Sequence, residues 1–390
     1  MANTLTAITP VLYEALDIVS RELVGMIPAV SRDSNAERAA VNETVTFPIV
    51  PAISLEDVTP GATPADSGDM TITSDTLSIS NSKVAPIRWT GEEQRLLGTG
   101  DRPMGQHVLT QQFAQAFRAI TNQVEADLCG LYKLAARGYG TAATTPFGTN
   151  NDFTDASNVF AILNEKGAPQ GDRHLVLDSL AMANLRGKQS GLFHVNEAGT
   201  SETLRDGAIG RLQGFNLHES GQTKQHTAGT GALATTNNAG YAIGATTLTL
   251  ASAGTGTIVQ GDALNFASEN NGLKYLAYSG DADVSNGGTV VLNGSGLKLA
   301  MSAATKAITL SAAYRANMAF SRNAIQLVTR HPAMPDGGDS ADDVMNIVDP
   351  VSGLNFQVAL YRQYRRIKYE IGLAWGVKMV KPDHCVVLLG

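Results

Sequence analysis

The stretch DRPMGQHVLTQQFAQAFRAITNQVEADLCGLYKLAARG, residues 101–138, is the longest uninterrupted helical pattern in the chain. Leu109, Phe113, Phe117, Ile120, Val124, Leu128, Leu131 and Ala135 recur at spacings of three and four, which puts them on one helix face. Asp101 is placed to cap the start, Pro103 fits the first turn, and Gly138 follows the end. At a rise of 1.5 Å per residue the pattern predicts a helix about 50 Å long. Gln111, Gln112, Gln115, Arg118, Asn122 and Asp127 back the stripe, so it reads as a polar-backed beam and not as a membrane span. Any long core helix would carry such a stripe, so its neighbours decide its use.

The 390 residues predict two or three units around a sizeable core. Apolar residues make up 43% of the chain and charged residues 17%, where about 25% charged is usual. That balance suits faces covered by neighbouring copies, so a homo-oligomer is expected. The net charge of −7 argues against a protein that grips nucleic acid through its phosphates. Cys129 and Cys385 have no CxxC partner and read as buried, reduced thiols of a protein assembled in the cytosol. There is no signal peptide and no run of eighteen apolar residues, so neither secretion nor membrane insertion is expected.

In chain order, Thr9, Pro10 and VLYEALDIVSRELVG predict an amphipathic helix closed by Gly25 and Pro28. Ser31 to Asn42 is polar and aperiodic, so the first forty residues read as an arm reaching away from the body. From Thr44 the period becomes two: Val45, Phe47 and Ile49 form one strand, and Ile72, Leu77, Ile79, Val84, Ile87 and Trp89 a second extended run. Between them Pro51, Pro60, Gly61, Pro64 and Gly68 forbid regular structure, which predicts an extended hairpin with a long irregular tip. Beyond the long helix, Thr154 or Asp155 starts a short helix ended by Gly167 and Pro169, HLVLD is a buried strand, and Ser179 to Arg186 is a second helix. This is a small α/β unit.

At Gly221 the composition turns to Gly, Thr, Ser, Asn and Ala. Short alternations at 246–250, 262–266, 274–278, 289–292, 297–299 and 307–310, separated by glycine turns, predict an inserted β-barrel or sandwich. NMAFSRNAIQLVTRHPAMP then resumes the strand pattern. At the C-terminus Ile367, Tyr369, Ile371, Leu373, Trp375, Val377 and Met379 occupy alternate positions. With Asn355 to Tyr364 they predict a long antiparallel pair on which the helix lies.

The motifs of catalysis are missing. The seven histidines, His107, His174, His194, His218, His226, His331 and His384, have no zinc spacing, and no cofactor is indicated. Gly294-Ser295-Gly296 lies among turn residues and reads as a hairpin tip, not a nucleophile elbow. Asp281, Asp283 and Ser285 begin like a calcium loop, but Leu292 stands where a bidentate Glu belongs. Glu92 and Glu93 are adjacent and diverge, so they read as solvated or inter-subunit groups, not an acid–base pair. Arg362, Arg365 and Arg366, interleaved with Tyr361 and Tyr364, form the only dense basic cluster and suit inter-subunit ion pairs better than nucleic acid.

This order of parts resembles the major capsid protein of tailed bacteriophages, and within it the subgroup of certain short-tailed phages with an inserted β-barrel domain. LRDGAIGRLQGF resembles the segment before the insertion, TLTLASAGTGTIVQGDALNFA the insertion itself, and NMAFSRNAIQLVTRHP with IGLAWGVKMVKPD the return. The resemblance implies an α+β fold divided as follows: an N-terminal arm at 1–42, an extended hairpin or E-loop at 43–98, a spine helix at 99–140, and an A-domain at 141–220 and 315–354. The barrel then occupies 221–314 and the returning P-domain strands 355–390.

It implies a shell subunit and not an enzyme: hexamers and pentamers closing an icosahedral phage head, first around a scaffolding protein, with a portal protein at one vertex, and then around double-stranded DNA. Assembly is expected in the bacterial host cytoplasm, with the product in the virion and no membrane partner. Residues 51–70 should lie across a neighbour, with Glu56, Asp57, Asp66, Asp69, Arg362, Arg365 and Arg366 as inter-subunit contacts and Glu14, Asp17 and Glu22 facing a basic scaffolding segment. A different self-assembling surface-layer or adhesin protein, or an enzyme with an unrecognised site, are the alternatives.

Overall fold

The structure is a computed structural model and describes residue 12 and residues 24–49, 53, 55, 60–61, 71–97, 103–188, 209–267, 273–349 and 352–390. The first part of the chain forms α1 (Met26–Ala29), β1 (Ser31–Ala39), β2 (Thr44–Ile49), β3 (Thr73–Ser78), β4 (Asn81–Thr90), α2 (Gly91–Leu97) and the long helix α3 (Pro103–Gly130). Then come β5 (Arg137–Tyr139), α4 (Thr154–Glu165), β6 (Arg173–Leu177), α5 (Ser179–Lys188), β7 (Arg211–Leu212) and β8 (Phe215–Glu219). The glycine-rich region gives β9 (Gln225–His226), β10 (Thr247–Leu250), β11 (Ala263–Phe266), β12 (Leu273–Ser279), β13 (Gly288–Leu292) and β14 (Ile308–Leu310). The return is β15 (Tyr314–Ser321), β16 (Ile325–Pro332), β17 (Asp343–Val348), β18 (Asn355–Gln363), β19 (Arg366–Met379) and β20 (Cys385–Leu389).

Helix α3 buries the stripe its spacing predicts: Phe113, Phe117, Val124 and Leu128 are fully buried. They pack on β19 and its neighbours, with Phe113 edge-on to Tyr369 at 5.4 Å and Phe117 edge-on to Phe356 at 5.1 Å. Asp127 on the polar flank accepts the indole N–H of Trp375 at 2.9 Å, and Gln112 accepts that of Trp89 at 2.6 Å. Both tryptophans of the chain are thereby pinned to the same helix.

The helix is shorter than predicted. It ends at Gly130, a 3₁₀ turn follows over Leu131–Leu134, and Arg137–Tyr139 is a strand and not a helical end. Burial alone does not separate these states, because Ala135 stays buried on either path. What turns the chain is Arg137, which reaches the carbonyl of Gly296 at 2.9 Å and stacks its guanidinium 3.8 Å over the Tyr275 ring. Asp101 lies outside the described residues.

Two sheets flank the helix. In the first, β19 pairs with β4 along one edge and end to end with β16 and β18 along the other, with β1 outside β16 and β17 outside β18. Ser31–Ala39 therefore belongs to the body as a parallel edge strand and does not reach away from it. Its side chains are mostly exposed, so no period marks it; the backbone ladder holds it, with the Arg330–Asp33 pair at 2.6 Å and the buried Ala39 beside it. The extended run 72–89 is likewise two strands: β3 pairs with β2 in a ribbon, and β4 joins the sheet. The second sheet is mixed, with central order β12-β5-β20-β15-β6-β8, and is flanked by α4 and α5 with their own apolar core. The chain crosses between the sheets three times, from β4 to β5 through the long helix, from β15 to β16 through Arg322–Ala324 and from β19 to β20 through Pro382–His384.

In the glycine-rich region all the predicted alternations form strands except 297–299. Pairing runs from β10 to β13, β12, β11 and β14, and isolated bridges Thr235–Ala307 and Thr236–Leu250 lead back to β10 around a separate core. The ring is not detached, since β12 also pairs with β5 of the body.

Residues 24–30 are held beneath α3 by Glu125, which is fully buried and accepts the N–H groups of Gly25 (2.8 Å), Met26 (2.7 Å) and Ile27 (3.0 Å) and the Ser220 hydroxyl (2.7 Å). Burial holds its carboxyl above the usual range, against those four donors. Residues 9–23, except Leu12, lie outside the described part. The ribbon β2–β3 rests on β19 at Gly376, where an added Cβ would stand 2.4 Å from the Ser78 carbonyl oxygen.

Two outcomes follow. Glu125→Ala strands three buried N–H groups at about 1–3 kcal/mol each, less what water recovers, and should lower stability by about 2–4 kcal/mol in chemical denaturation. Gly376→Ala should loosen the ribbon before the core, read as faster amide exchange in 44–49 and 73–78 with the exchange of β18 unchanged.

Candidate self-association surface

The arginine cluster is placed by a two-residue turn. Gln363 pairs with Arg366, so Tyr364 and Arg365 form the tip, Arg365 with φ +56°. Tyr364 is 86% exposed, and the Arg365 guanidinium lies 5.4 Å over its ring. The carbonyl of Arg365 accepts from Gly91 N–H at 3.0 Å, which ties the tip to the start of α2. Arg366 stands opposite Thr90. Arg365 and Arg366 thus come together at an exposed tip, whereas Arg362 sits on β18 beside Asp342 at 3.3 Å.

Glu92 and Glu93 separate as expected, but Glu93 has a task the sequence reading missed. Its carboxylate accepts from Thr90 N–H at 2.8 Å while Thr90 Oγ1 accepts from Glu93 N–H at 3.3 Å, a reciprocal cap of α2. The T-x-x-E spacing at 90–93 was its signal. Those hydrogen bonds hold the Glu93 carboxyl below the usual range. Near the helix end Leu96 is 81% exposed.

The ribbon presents a second surface. Lys378 hydrogen-bonds Asp75 and donates to the Thr76 carbonyl at 2.8 Å, fixing the ribbon base and holding the Asp75 carboxyl below the usual range. Beyond that base Ile53, Leu55 and Ile72 are 74%, 96% and 62% exposed. Glu56, Asp57, Asp66 and Asp69, and with them Glu14, Asp17 and Glu22, lie outside the described residues.

The interior polar groups form clamps. Asp262, fully buried, accepts from His226 Nε2–H at 2.8 Å and from Gly229 and Val259 N–H, and His226 Nδ1 meets the Tyr132 hydroxyl at 2.9 Å. Burial pushes the Tyr132 phenol up to about 12. All three side chains are nearly inaccessible, so the chain fastens the glycine-rich ring to the end of α3 and offers nothing to a substrate. Ser295 at the predicted hairpin tip donates to Asp383 at 2.9 Å and accepts from Lys166, and Lys166 is itself paired with Asp383 at 3.6 Å. Burial and the nearby Arg137 lower the Lys166 ammonium, against the pull of Asp383.

Asp281 and Asp283 close local turns onto the N–H groups of Asp283 (2.8 Å) and Ser285 (3.1 Å). Among the described residues no three His, Cys, Asp or Glu side chains form a group that could hold a metal ion, and no helix is long and apolar enough to cross a membrane. Cys129 and Cys385 are buried and free, and burial raises both thiols. Two clefts stand out: a groove of about 590 Å³ between β4 and α3, lined by Ala85, Ile87, Val108 and Gln112, and a polar one of about 680 Å³ lined by Thr141, Thr145, Asp152 and Lys188.

No family model matches the chain, and no curated protein matches it. Among solved structures it is similar to the cyanophage A-1(L) capsid asymmetric unit, at 10% identity over 94% of this chain and 93% of that one, with a TM-score of 0.48. It is similar to the capsid of cyanophage P-SCSP1u at 12% identity, 93% and 86% coverage and a TM-score of 0.46. It is also similar to a structure from Mycobacterium phage Che8 at 13% identity, 89% and 84% coverage and a TM-score of 0.45. At such scores the likeness is a loose one, and the fold stands on its own pairings and packing.

Proposed function

We propose that the chain is a shell subunit, the major capsid protein of a tailed phage, built to be tiled with copies of itself. The observation that carries this reading is the ribbon: two strands fastened at one end, with Ile53, Leu55 and Ile72 held out in water beyond it. A two-stranded ribbon alone is marginally stable, and exposed apolar residues at its far end gain by lying on another surface. A neighbour of the same kind supplies one, and repetition of such a contact closes rings and shells.

In this reading residues 1–42 are the arm region and its docked strand, 43–98 the E-loop, and 99–140 the spine. The A-domain is 141–220 with 315–354, the inserted barrel 221–314, and the P-domain return 355–390. The copies form hexamers and pentamers of an icosahedral head around double-stranded DNA, with a scaffolding protein and a portal protein as assembly partners. Assembly takes place in the host cytoplasm, and the product is the virion. Glu56, Asp57, Asp66 and Asp69 meet Arg365 and Arg366, with Arg362 behind them, across the subunit boundary, and Glu14, Asp17 and Glu22 meet the scaffold.

Electron microscopy of the chain expressed with its scaffold candidate tests this. Closed shells are expected, and deletion of 51–70 should reduce their yield at least tenfold while the denaturation midpoint of the subunit stays put. Shells undiminished by the deletion, or a monomer at every concentration, would remove the reading. Reversal of Arg365 and Arg366 to Glu should cut shell yield, and further reversal of the four carboxylates at 56, 57, 66 and 69 to Lys should restore it in part. Reversal of Glu14, Asp17 and Glu22 should abolish scaffold-dependent assembly and leave capsomer formation intact.

A further inference from the structure

Where β6 and β8 run parallel, His174 and His218 face each other, with His174 Nδ1 and His218 Nε2 2.9 Å apart. His174 Nε2 lies 2.8 Å from Asp172 Oδ1 and 3.2 Å from Arg322 Nη2. The carboxylate only accepts and is the nearer of the two, which assigns that nitrogen the proton and leaves the Arg322 Nη2 approach a contact and not a hydrogen bond. His174 Nδ1 is then the acceptor, and His218 Nε2–H donates to it. Each ring is neutral in this arrangement. Asp172 also accepts from Arg322 Nε at 2.6 Å, and Arg322 Nη1 donates to the carbonyl of Pro28 at 3.2 Å. On the other side His218 lies under Gly25, where an added Cβ would come within 3.3 Å of the His218 Cβ. The pair therefore sits where three things meet: the second sheet, the crossing turn at Arg322–Ala324, and the segment 24–30.

We propose that the His174–His218 pair is an acid-sensitive latch, and that its protonation releases the segment 24–30 from the junction between the two sheets. The charges facing the rings are few. Among the described residues Asp172 is the one anion in contact with them, and Arg322 already neutralises it. From β15 the pair is faced by the Phe320 ring, and on β8 Glu219 is occupied by Arg186 at 3.0 Å. Arg32 on β1 acts on Arg322, and residues 24–30 offer only backbone. An added proton thus makes a buried cation beside Arg322 with no anion left to balance it. Opening the segment lets water in.

Burial and the neighbouring His174 and Arg322 hold His218 down to about 4, below its ordinary 6.5, and burial likewise lowers His174. The closed state binds fewer protons than the open one between those two values, so closure is fully favoured above pH 6.5 and weakens as pH falls toward 4. Glu125 grips the same segment with the opposite sign, since its carboxyl is raised and its protonation favours the closed form. An acid-induced release is therefore assigned to the histidines and not to that carboxyl. The inference holds whether or not the chain builds shells.

The test is amide exchange of Gly25, Met26, Ile27 and Val30 in the full-length chain, corrected for the intrinsic pH dependence of exchange. With one proton taken up on opening, between about 4 in the closed form and 6.5 in the open one, the opening constant should rise about 40-fold between pH 6.5 and 4.5. His218→Gln keeps an N–H donor toward His174 Nδ1 but does not titrate, and its slope should fall by about one proton. A flat profile in the wild type, or an unchanged slope in His218→Gln, overturns the latch. If that variant does not fold, the wild-type imidazole titration read by NMR decides. Rings that titrate below pH 5 in step with amide release support it, and rings that titrate near 6.5, or without release, refute it.

Discussion

The seam between α3 and β19 is the contact the other parts depend on. Apolar burial supplies its energy: each fully buried Phe, Val or Leu on the helix contributes about 1.5–3 kcal/mol, and the two edge-on aromatic pairs about 0.5–1.5 kcal/mol more apiece. The indole N–H bonds from Trp375 to Asp127 and from Trp89 to Gln112 add less, but they fix the register. A slip of β19 by one residue would turn Trp375 to the far face. There Ala374 packs with Ala39 and Ile79, and Gly376 touches the ribbon backbone, so an indole has no room.

With the seam fixed, the two sheets are bound to move together, because the chain passes between them by two short crossings besides α3 itself. One crossing is pinned by Arg322 to Asp172 and Pro28, the other by Asp383 to Ser295 and Lys166. The glycine-rich ring is fastened to the same frame through β12–β5, Arg137 and the Asp262–His226–Tyr132 chain. None of these links is apolar. A core made only of aliphatic contacts would hold the parts together without fixing their angles, whereas buried hydrogen bonds lose most of their worth when displaced by an ångström.

The seam, the ribbon and the small strands were legible because each has a period: the stripe from Leu109 to Leu128, Val45 to Phe47, and the alternation from Ile367 to Met379. The strand Ser31–Ala39 was not, since an edge strand exposed on both faces has no pattern to show. The end of α3 was missed because Ala135 is buried whichever way the chain turns, and the deciding contact, Arg137 on Tyr275, spans 138 residues of sequence. The reciprocal cap at Thr90 and Glu93 was readable and went unread. The His174–His218 pair was not readable at all: their 44-residue separation means nothing until β6 and β8 are known to run parallel. The sequence groups Arg362, Arg365 and Arg366 as one cluster, but it could not show that Arg362 has Asp342 beside it on β18 while the other two stand at the turn.

The edges of the first sheet bear on how copies can meet. Pro86 stands in β4 and has no N–H to give, Lys83 and Arg88 flank it, and all three are exposed. Strand addition along that edge would leave a gap in the ladder and bury charge, which is how edges are kept from pairing. Of the two outer strands on the opposite side, β1 carries Arg32, Asp33, Glu37 and Arg38 in nine residues. In the proposed assembly, copies that meet through the ribbon and the Tyr364–Arg365 tip would make contact by side chains and not by ladders. A ladder fixes one angle between partners, while side-chain contacts on a ribbon anchored at one end accept a range. The proposed closure with both five- and sixfold neighbours would need that range.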